Sequence, residues 1–222
     1  MNAHERVIKT LNHEEPDRVP LFCQAIMPGF ERNLTKYWGN EYKHDEKYVL
    51  YLSDYNVKRK LGFDLCWGFG VVPMKFPRKI LKDNPLPKLE DPDKFVDLDG
   101  KVFLRNPEFN MPWYYENYIT TEEMADHFYE TYFSIEWEEN SAFIPKLNKT
   151  LETFPLDEIV PCAHISHILE PIWEGLGLAL FTKLLRKKKD KLKKYIDLRT
   201  KIAVAGSKIL AETDLDVFFC CD

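Results

Sequence analysis

Four continuous apolar runs constrain the fold of this 222-residue chain more than any other feature. They lie at 19–24, 63–69, 158–163 and 216–221, and each has the length of a single strand. A strand that is apolar along its whole length is typical of a sheet covered on both faces. Helix-length segments separate the runs, as the crossover connections between parallel strands require. The pattern therefore predicts an α/β fold with about four parallel strands.

Helical periodicity fills most of the sequence between these runs. The first helix begins at Asn2, where Glu5 stands at the right spacing for a capping box. Thr120 or Thr121 is expected to cap a later helix. The remaining helices are predicted at 30–38, 45–61, 168–185 and 190–212.

The stretch 71–118 differs from the rest of the chain in its proline content and its short strand patterns. It contains seven prolines, which no long helix accommodates. Asp99-Gly100 is a turn signal between two short strand patterns, 95–96 and 102–104. We therefore predict a hairpin-bearing insertion at 71–118 within a single domain that spans 1–222.

The number of strands leaves two architectures open. A closed (β/α)8 barrel needs ~250 residues, and the fourth apolar run ends with the sequence. The chain is then either an open sheet whose last strand is terminal or the first part of a longer barrel. We expect the second, an incomplete (β/α)8 barrel that is truncated at its C-terminus.

Composition excludes several classes of protein. Formal net charge is -5, whereas nucleic-acid-binding domains are usually basic. The five cysteines include no C-x-x-C spacing, so a zinc ribbon is unsupported and reduced cysteines are expected. The N-terminus has no apolar signal-peptide core, and no window approaches the ~18 apolar residues of a membrane span. We expect a soluble, cytoplasmic protein that binds neither nucleic acid nor membrane.

Four segments resemble, in the same order, proteins of the uroporphyrinogen decarboxylase superfamily. They are HERVIKTLNHEEPDRVPL at 4–21, LGFD at 61–64, ILEPIWEGLG at 168–177 and LAETDLDV at 210–217. The last departs from the family pattern, since Thr213-Asp214 stands where a glycine is usual. The resemblance covers the whole chain loosely and rests on the order of the motifs rather than on any one of them.

The resemblance implies the N-terminal part of a (β/α)8 barrel. The superfamily contains porphyrinogen decarboxylases and zinc-dependent methyltransferases that move methyl groups between corrinoid proteins and thiols such as coenzyme M. It implies a small-molecule substrate, either a tetrapyrrole or a methyl carrier, and a corrinoid protein as a partner. A complementary chain or a second copy is a further expected partner. The zinc ligands of the methyltransferases belong to the C-terminal part, so no cofactor is expected within this chain and zinc only in the full-length protein.

The sequence departs from the decarboxylases where their substrate binds. Gln24-Ala25 matches the decarboxylase segment R-Q-A-G-R, but both arginines are missing. Val71-Val72-Pro73 is present without the aspartate that precedes it in decarboxylases. The resemblance therefore favours a methyltransferase-like or unassigned member. The alternatives are a true uroporphyrinogen decarboxylase of porphyrin biosynthesis and a non-catalytic fragment that requires a complementary chain.

Candidate site residues follow from position in a barrel, where active sites lie at the carboxyl ends of the strands. Gln24, His164, His167 and Asp222 follow predicted strands. We predict Asp222, His164 and Glu170 as catalytic residues, and Gln24, His167 and Asp64 as substrate-binding residues.

Each of these predictions has a plainer alternative. Asp64 can be a structural carboxylate that caps a turn, and Glu170 can stabilise a helix N-terminus. His164, His167 and Glu170 do not share one helix face at their spacing, so we predict no metal site among them. The aromatic residues at 113–115 and 129–137 fit core packing better than stacking on a flat ligand.

Overall fold

The structure is a computed structural model. It describes residues 1–24, 26, 33–34, 55–69, 74–106, 111–140, 142–165 and 167–220. The helices in this part are α1 (Ala3–Leu11), α2 (Tyr55–Lys60), α3 (Arg78–Asp83), α4 (Glu122–Tyr132), α5 (Phe143–Leu151), α6 (Glu170–Lys187) and α7 (Lys189–Leu210). The strands are β1 (Phe22–Cys23), β2 (Leu65–Phe69), β3 (Met74–Lys75), β4 (Lys94–Val96), β5 (Lys101–Asn106), β6 (Met111–Asn117), β7 (Glu138–Glu139), β8 (Val160–Ile165) and β9 (Val217–Cys220).

The four predicted apolar runs form one parallel sheet in the order β1-β2-β8-β9. Its register pairs Phe22 with Leu65, Leu65 with Val160 and Cys162 with Val217. The α/β class and the four parallel strands are thus confirmed. Closure into a (β/α)8 barrel stays a prediction, as does the assignment of 71–118 as an insertion.

The chain divides into two compact units. The first unit comprises Met1–Val72, Ser141–Ile165 and Ile209–Cys221, and it contains the parallel sheet. The second unit comprises Pro73–Asn140 and Ser166–Lys208.

The first unit opens with the predicted capping box. Asn2 Oδ1 accepts a hydrogen bond from the Glu5 backbone N–H at 2.8 Å, and Glu5 Oε2 accepts one from the Asn2 N–H at 3.1 Å. These bonds satisfy two of the N–H groups that a helix start leaves free. The helix then buries Val7 in a core with Val160, Cys162 and Val217.

The second unit contains the predicted hairpin, extended by a third strand. β4, β5 and β6 form an antiparallel sheet in that order, and β3 pairs separately with β7. The turn between β4 and β5 places Gly100 at a φ of +77°, a conformation that glycine adopts without strain. Helix α6 changes direction at Gly177, whose φ of +68° interrupts the helical backbone.

Aromatic side chains form much of the core of the second unit. Tyr129 and Tyr195 stack with ring centroids 4.2 Å apart, and Phe128 contacts Tyr132 edge-on at 5.3 Å. Core packing is therefore confirmed for the later aromatic group. The prediction of core packing is wrong for the aromatic residues at 113–115, since Trp113 on β6 is 46% exposed.

The later helix predictions agree with the structure to within two residues, at α6 and α7. The predicted helix at 30–38 lies almost entirely outside the described residues. The described part of the predicted helix at 45–61 begins at Tyr55 and contains α2. Within the described part of the chain, no helix has both the length and the apolar character needed to cross a membrane.

Candidate functional site

The parallel strands carry a group of packed aromatic rings, which we call the aromatic cluster: Phe22, Trp67, His164 and Phe219. His164 lies 5.5 Å from Trp67 and 5.3 Å from Phe219, measured between ring centroids. Trp67 and Phe219 are 5.8 Å apart, and Phe22 meets Phe219 at 5.7 Å. The cluster forms because His164 and Phe219 are register partners on adjacent strands, so that both side chains leave the sheet on the same face.

The aromatic cluster keeps open surface and an unused hydrogen-bond donor. Phe22 is 44% exposed, and Trp67, His164 and Phe219 are half-buried. The Trp67 Nε1 atom is buried and has no hydrogen-bond acceptor among the described residues. Buried indole N–H groups usually find an acceptor, so a ligand or a water molecule would satisfy this one only after the atoms that cover it move.

Gln24 follows β1 and has an exposed side chain, as expected of a substrate-binding residue. Its backbone carbonyl accepts a hydrogen bond from Lys58 Nζ at 3.0 Å. Lys58 is fully buried, so this hydrogen bond ties the end of the strand to the protein interior. Asp222, the other candidate that follows a strand, lies outside the described residues.

Asp64 is 2% exposed and lies just before β2. It contacts Arg6 at 2.6 Å and Arg18 at 2.6 and 2.9 Å, and it accepts the Leu21 N–H at 2.8 Å. Burial opposes its ionisation, but the hydrogen bonds from Arg18, Leu21 and Arg6 outweigh burial and lower the pKa of the carboxyl. These contacts are all with the protein itself, as expected if Asp64 is a structural carboxylate rather than a substrate-binding residue.

His167 and Glu170 belong to the second unit and form a pair. His167 Nδ1 lies 2.7 Å from Glu170 Oε2, although Glu170 begins α6 and His167 lies in the preceding loop. Arg199 donates from Nη2 to the backbone carbonyl of His167 at 2.6 Å. The sequence placed His167 and Glu170 individually near a site, and the structure brings them into contact.

Arg199 also joins a set of charges that we call the charge network, in which the other four members are half-buried: Asp97, Asp99, Lys101, Glu174 and Arg199. Arg199 Nη1 donates to Asp99 Oδ1 at 2.6 Å. Lys101 Nζ lies 3.4 Å from Asp97 Oδ2 and 3.5 Å from Glu174 Oε2. With every group ionised, three carboxylates face two cations, so the network carries one excess negative charge.

Two carboxyls of the charge network, Asp97 and Glu174, have a raised pKa. Burial and the neighbouring Asp99 raise the pKa of Asp97 to about 6. Burial likewise raises the pKa of Glu174. Tyr129 lies fully buried beside this network, and its hydroxyl has no hydrogen-bond partner among the described residues.

A separate cleft of ≈350 Å³ lies at the start of α4, lined by Thr120, Thr121, Glu122, Glu123, Ala179, Leu180 and Lys183. Glu122 is already paired, since it contacts Lys183 at 3.0 Å and Lys188 at 2.5 Å. The hydrogen bond from Lys188, followed by that from Lys183, lowers the pKa of Glu122 to about 2. We do not place the candidate site there because its two oppositely charged side chains that approach each other, Glu122 and Lys183, are already paired.

In the part of the chain that the structure describes, no three His, Cys, Asp or Glu side chains are grouped so that they could hold a metal ion.

Sequence reasoning missed Trp67, Phe219, Asp99 and Arg199. The first two were assigned only to apolar strands, although alternation along β2 and β9 would have placed them on one face of the sheet. Asp99 was assigned only to a turn. Arg199 is 7% exposed on α7, and an arginine on the inward face of a helix is the signal that could have identified it.

Comparison with solved structures finds a methyltransferase from Methanosarcina mazei with a TM-score of 0.52 and 13% sequence identity. The match covers 98% of this chain and 58% of the other, so the chain spans less than two thirds of that protein's length. No protein-family model and no curated protein sequence matches this chain. At this identity the likeness concerns the fold, and the chain has a methyltransferase-like fold.

Proposed function

We propose that this chain is part of a methyltransferase-like enzyme of the uroporphyrinogen decarboxylase superfamily, acting in the cytoplasm on a small-molecule or corrinoid-type substrate. The observation that carries the proposal is the likeness of fold to a methyltransferase over 98% of the chain. The ordered motifs from His4 to Val217 support the same superfamily from the sequence alone.

In this proposal the aromatic cluster is the ligand-binding surface. Its exposed ring, Phe22, offers an apolar face for a planar macrocycle. Once the atoms that cover it move, the Trp67 N–H can donate to an amide oxygen of a corrinoid, and the exposed Gln24 amide can donate or accept. His164 presents an imidazole to the same ligand, as a proton donor or acceptor.

Uroporphyrinogen fits these residues less well. Its eight carboxylates need cations, and the cation that contacts Gln24 among the described residues is Lys58, which is fully buried. A corrinoid with neutral amide side chains needs none. The methyltransferase-like alternative is therefore preferred over the decarboxylase.

The proposal includes a further polypeptide as a partner, either a complementary chain or a second copy. β1 and β9 are the outer strands of the parallel sheet, and each pairs on one side among the described residues. Open strand edges favour association with additional strands.

Equilibrium dialysis against methylcobalamin, with uroporphyrin as the competing ligand, tests the proposal. We expect the corrinoid to bind, and Trp67→Phe and His164→Ala to weaken binding at least tenfold. Trp113→Phe is the matched control, because Trp113 is an exposed tryptophan of the other compact unit and should leave binding unchanged. Absence of corrinoid binding, or equal weakening by the control, contradicts the proposal. Tighter binding of uroporphyrin would favour the decarboxylase instead.

A further inference from the structure

The parallel sheet of the first unit is curved rather than flat. β1 and β9 are its outer strands, and three strand spacings would separate them by about 14 Å in a flat sheet. The ring centroids of Phe22 on β1 and Phe219 on β9 are nevertheless 5.7 Å apart. Side chains on one face of a flat sheet stand roughly perpendicular to it and do not converge over that distance. The two rings therefore point toward each other across a concave face.

The inner strands send their rings to the same concave face. Trp67 on β2 lies 5.8 Å from Phe219, and His164 on β8 lies 5.3 Å from it. Each of the four parallel strands thus contributes one ring of the aromatic cluster. Side chains that converge in this way from successive strands are typical of the interior of a barrel, so the sheet has the form of one arc of a cylinder.

Four parallel strands are half of the number that closes a (β/α)8 barrel. Among the described strands, β1 pairs with β2 alone and β9 with β8 alone. Apolar side chains are exposed on β1 and just before it, since Val19 is 77%, Leu21 47% and Phe22 44% exposed. A group of exposed apolar side chains at the edge of a sheet favours association with another polypeptide.

We propose that two copies of this chain join their parallel sheets into one eight-stranded barrel, in which β9 of each copy pairs with β1 of the other. A two-fold axis along the barrel forms both junctions at once and keeps all eight strands parallel. The inference rests on the polypeptide partner proposed above and identifies it as a second copy, because four strands from each copy complete the ring. The concave faces of both copies then enclose one interior, lined by both aromatic clusters.

Sedimentation equilibrium of the full chain without ligand tests this inference. We expect a dimer, and we expect Phe22→Lys on β1 and Phe219→Glu on β9 each to weaken dimerisation at least tenfold. An equimolar mixture of the two variants should associate again, because one junction is then wild-type and the other brings lysine and glutamate together. Val204→Lys is the matched control, since Val204 is a 48% exposed valine on α7, outside the parallel sheet.

A chain that sediments as a monomer overturns the inference, as does a dimer that is weakened equally by the control or not at all by the strand variants. Open assemblies of more than two copies also overturn it, because the ring then does not close. Should Phe219→Glu fail to fold, Cys220→Glu changes an exposed side chain of the same strand and is expected to weaken dimerisation as well. A monomer that binds methylcobalamin would overturn the dimer and leave the proposed function intact, whereas a dimer that binds no corrinoid would do the reverse.

Discussion

At the scale of single residues, two aspartates show how the surroundings of a carboxyl can lower or raise its pKa. Asp64 meets two arginines and a backbone N–H, so the pKa of its carboxyl falls below the ordinary value. Asp97 loses contact with water and lies beside Asp99, so its pKa rises to about 6 although Lys101 and two backbone N–H groups contact it. The Asp64 carboxylate is suited to a structural role, and the Asp97 carboxyl is suited to taking up a proton near pH 6.

We expect the raised pKa of Asp97 to make the protein less stable as pH increases. An acid whose pKa is higher in the folded state favours folding below its ordinary pKa, near 4, and loses that advantage up to about pH 6. This residue alone should lower the free energy of unfolding by about 2 kcal/mol between pH 4.5 and 7.5. Asp97→Asn should abolish that difference, since asparagine keeps an oxygen for the Lys101 and Asp99 N–H groups.

Urea unfolding at both pH values measures this effect. Asp83→Asn serves as the control, because Asp83 is an exposed aspartate at the end of α3. If the free energy of unfolding of the Asp97 variant still falls between the two pH values as it does in the wild type, another group causes the pH dependence.

At the scale of elements, β6 shows why exposed aromatic residues need not form an interface. Among the described residues it is an outer strand, and Trp113 and Tyr115 are exposed on it. Tyr115 is the extra residue of a bulge, left without a register partner on β5. Pro112 removes a further backbone donor from the strand. Bulges and prolines keep edge strands from pairing with other chains.

The contact between α6 and the β4–β5 turn predicts a strong effect for one methyl group. Gly175→Ala would place a β-carbon 2.0 Å from the Asp99 carbonyl oxygen, a backbone atom that cannot rotate away. We expect a loss of about 2–4 kcal/mol in the free energy of unfolding, as for other overpacked sites. Gly62→Ala is the control, since it meets no atom within 4 Å and adds only the strain of a positive φ, roughly 1 kcal/mol.

Denaturant unfolding of the two glycine variants provides the comparison. An equal loss in both would mean that backbone conformation alone, rather than the close approach of α6 to the turn, requires glycine at 175.

At the scale of the whole molecule, each compact unit has a core of its own. Val7, Val160, Cys162 and Val217 define the core of the first unit, and the aromatic side chains around Tyr129 that of the second. Separate cores allow the two units to open separately under native conditions.

Hydrogen exchange should separate the two units. Asp64→Asn leaves Arg6 and Arg18 without their buried partner and should cost about 3 kcal/mol, with faster exchange in α1, β2 and β8. Exchange in α4 and α6 should change little. Glu158→Gln breaks an exposed ion pair with Arg59 at 3.1 Å and should cost well under ~1 kcal/mol. A uniform acceleration across both units in the Asp64 variant would show that they open as one.

The sequence by itself determined the local features of this protein. The apolar runs specified the four strands, and Asn2 and Glu5 specified a capped helix. Asp99-Gly100 specified a turn. Each of these features depends on residues that are close along the chain. The tertiary structure alone decided the aromatic cluster and the Arg199 contacts. Asp99 and Arg199 are 100 positions apart, and their meeting depends on how helix α7 packs against the hairpin, which no local pattern encodes.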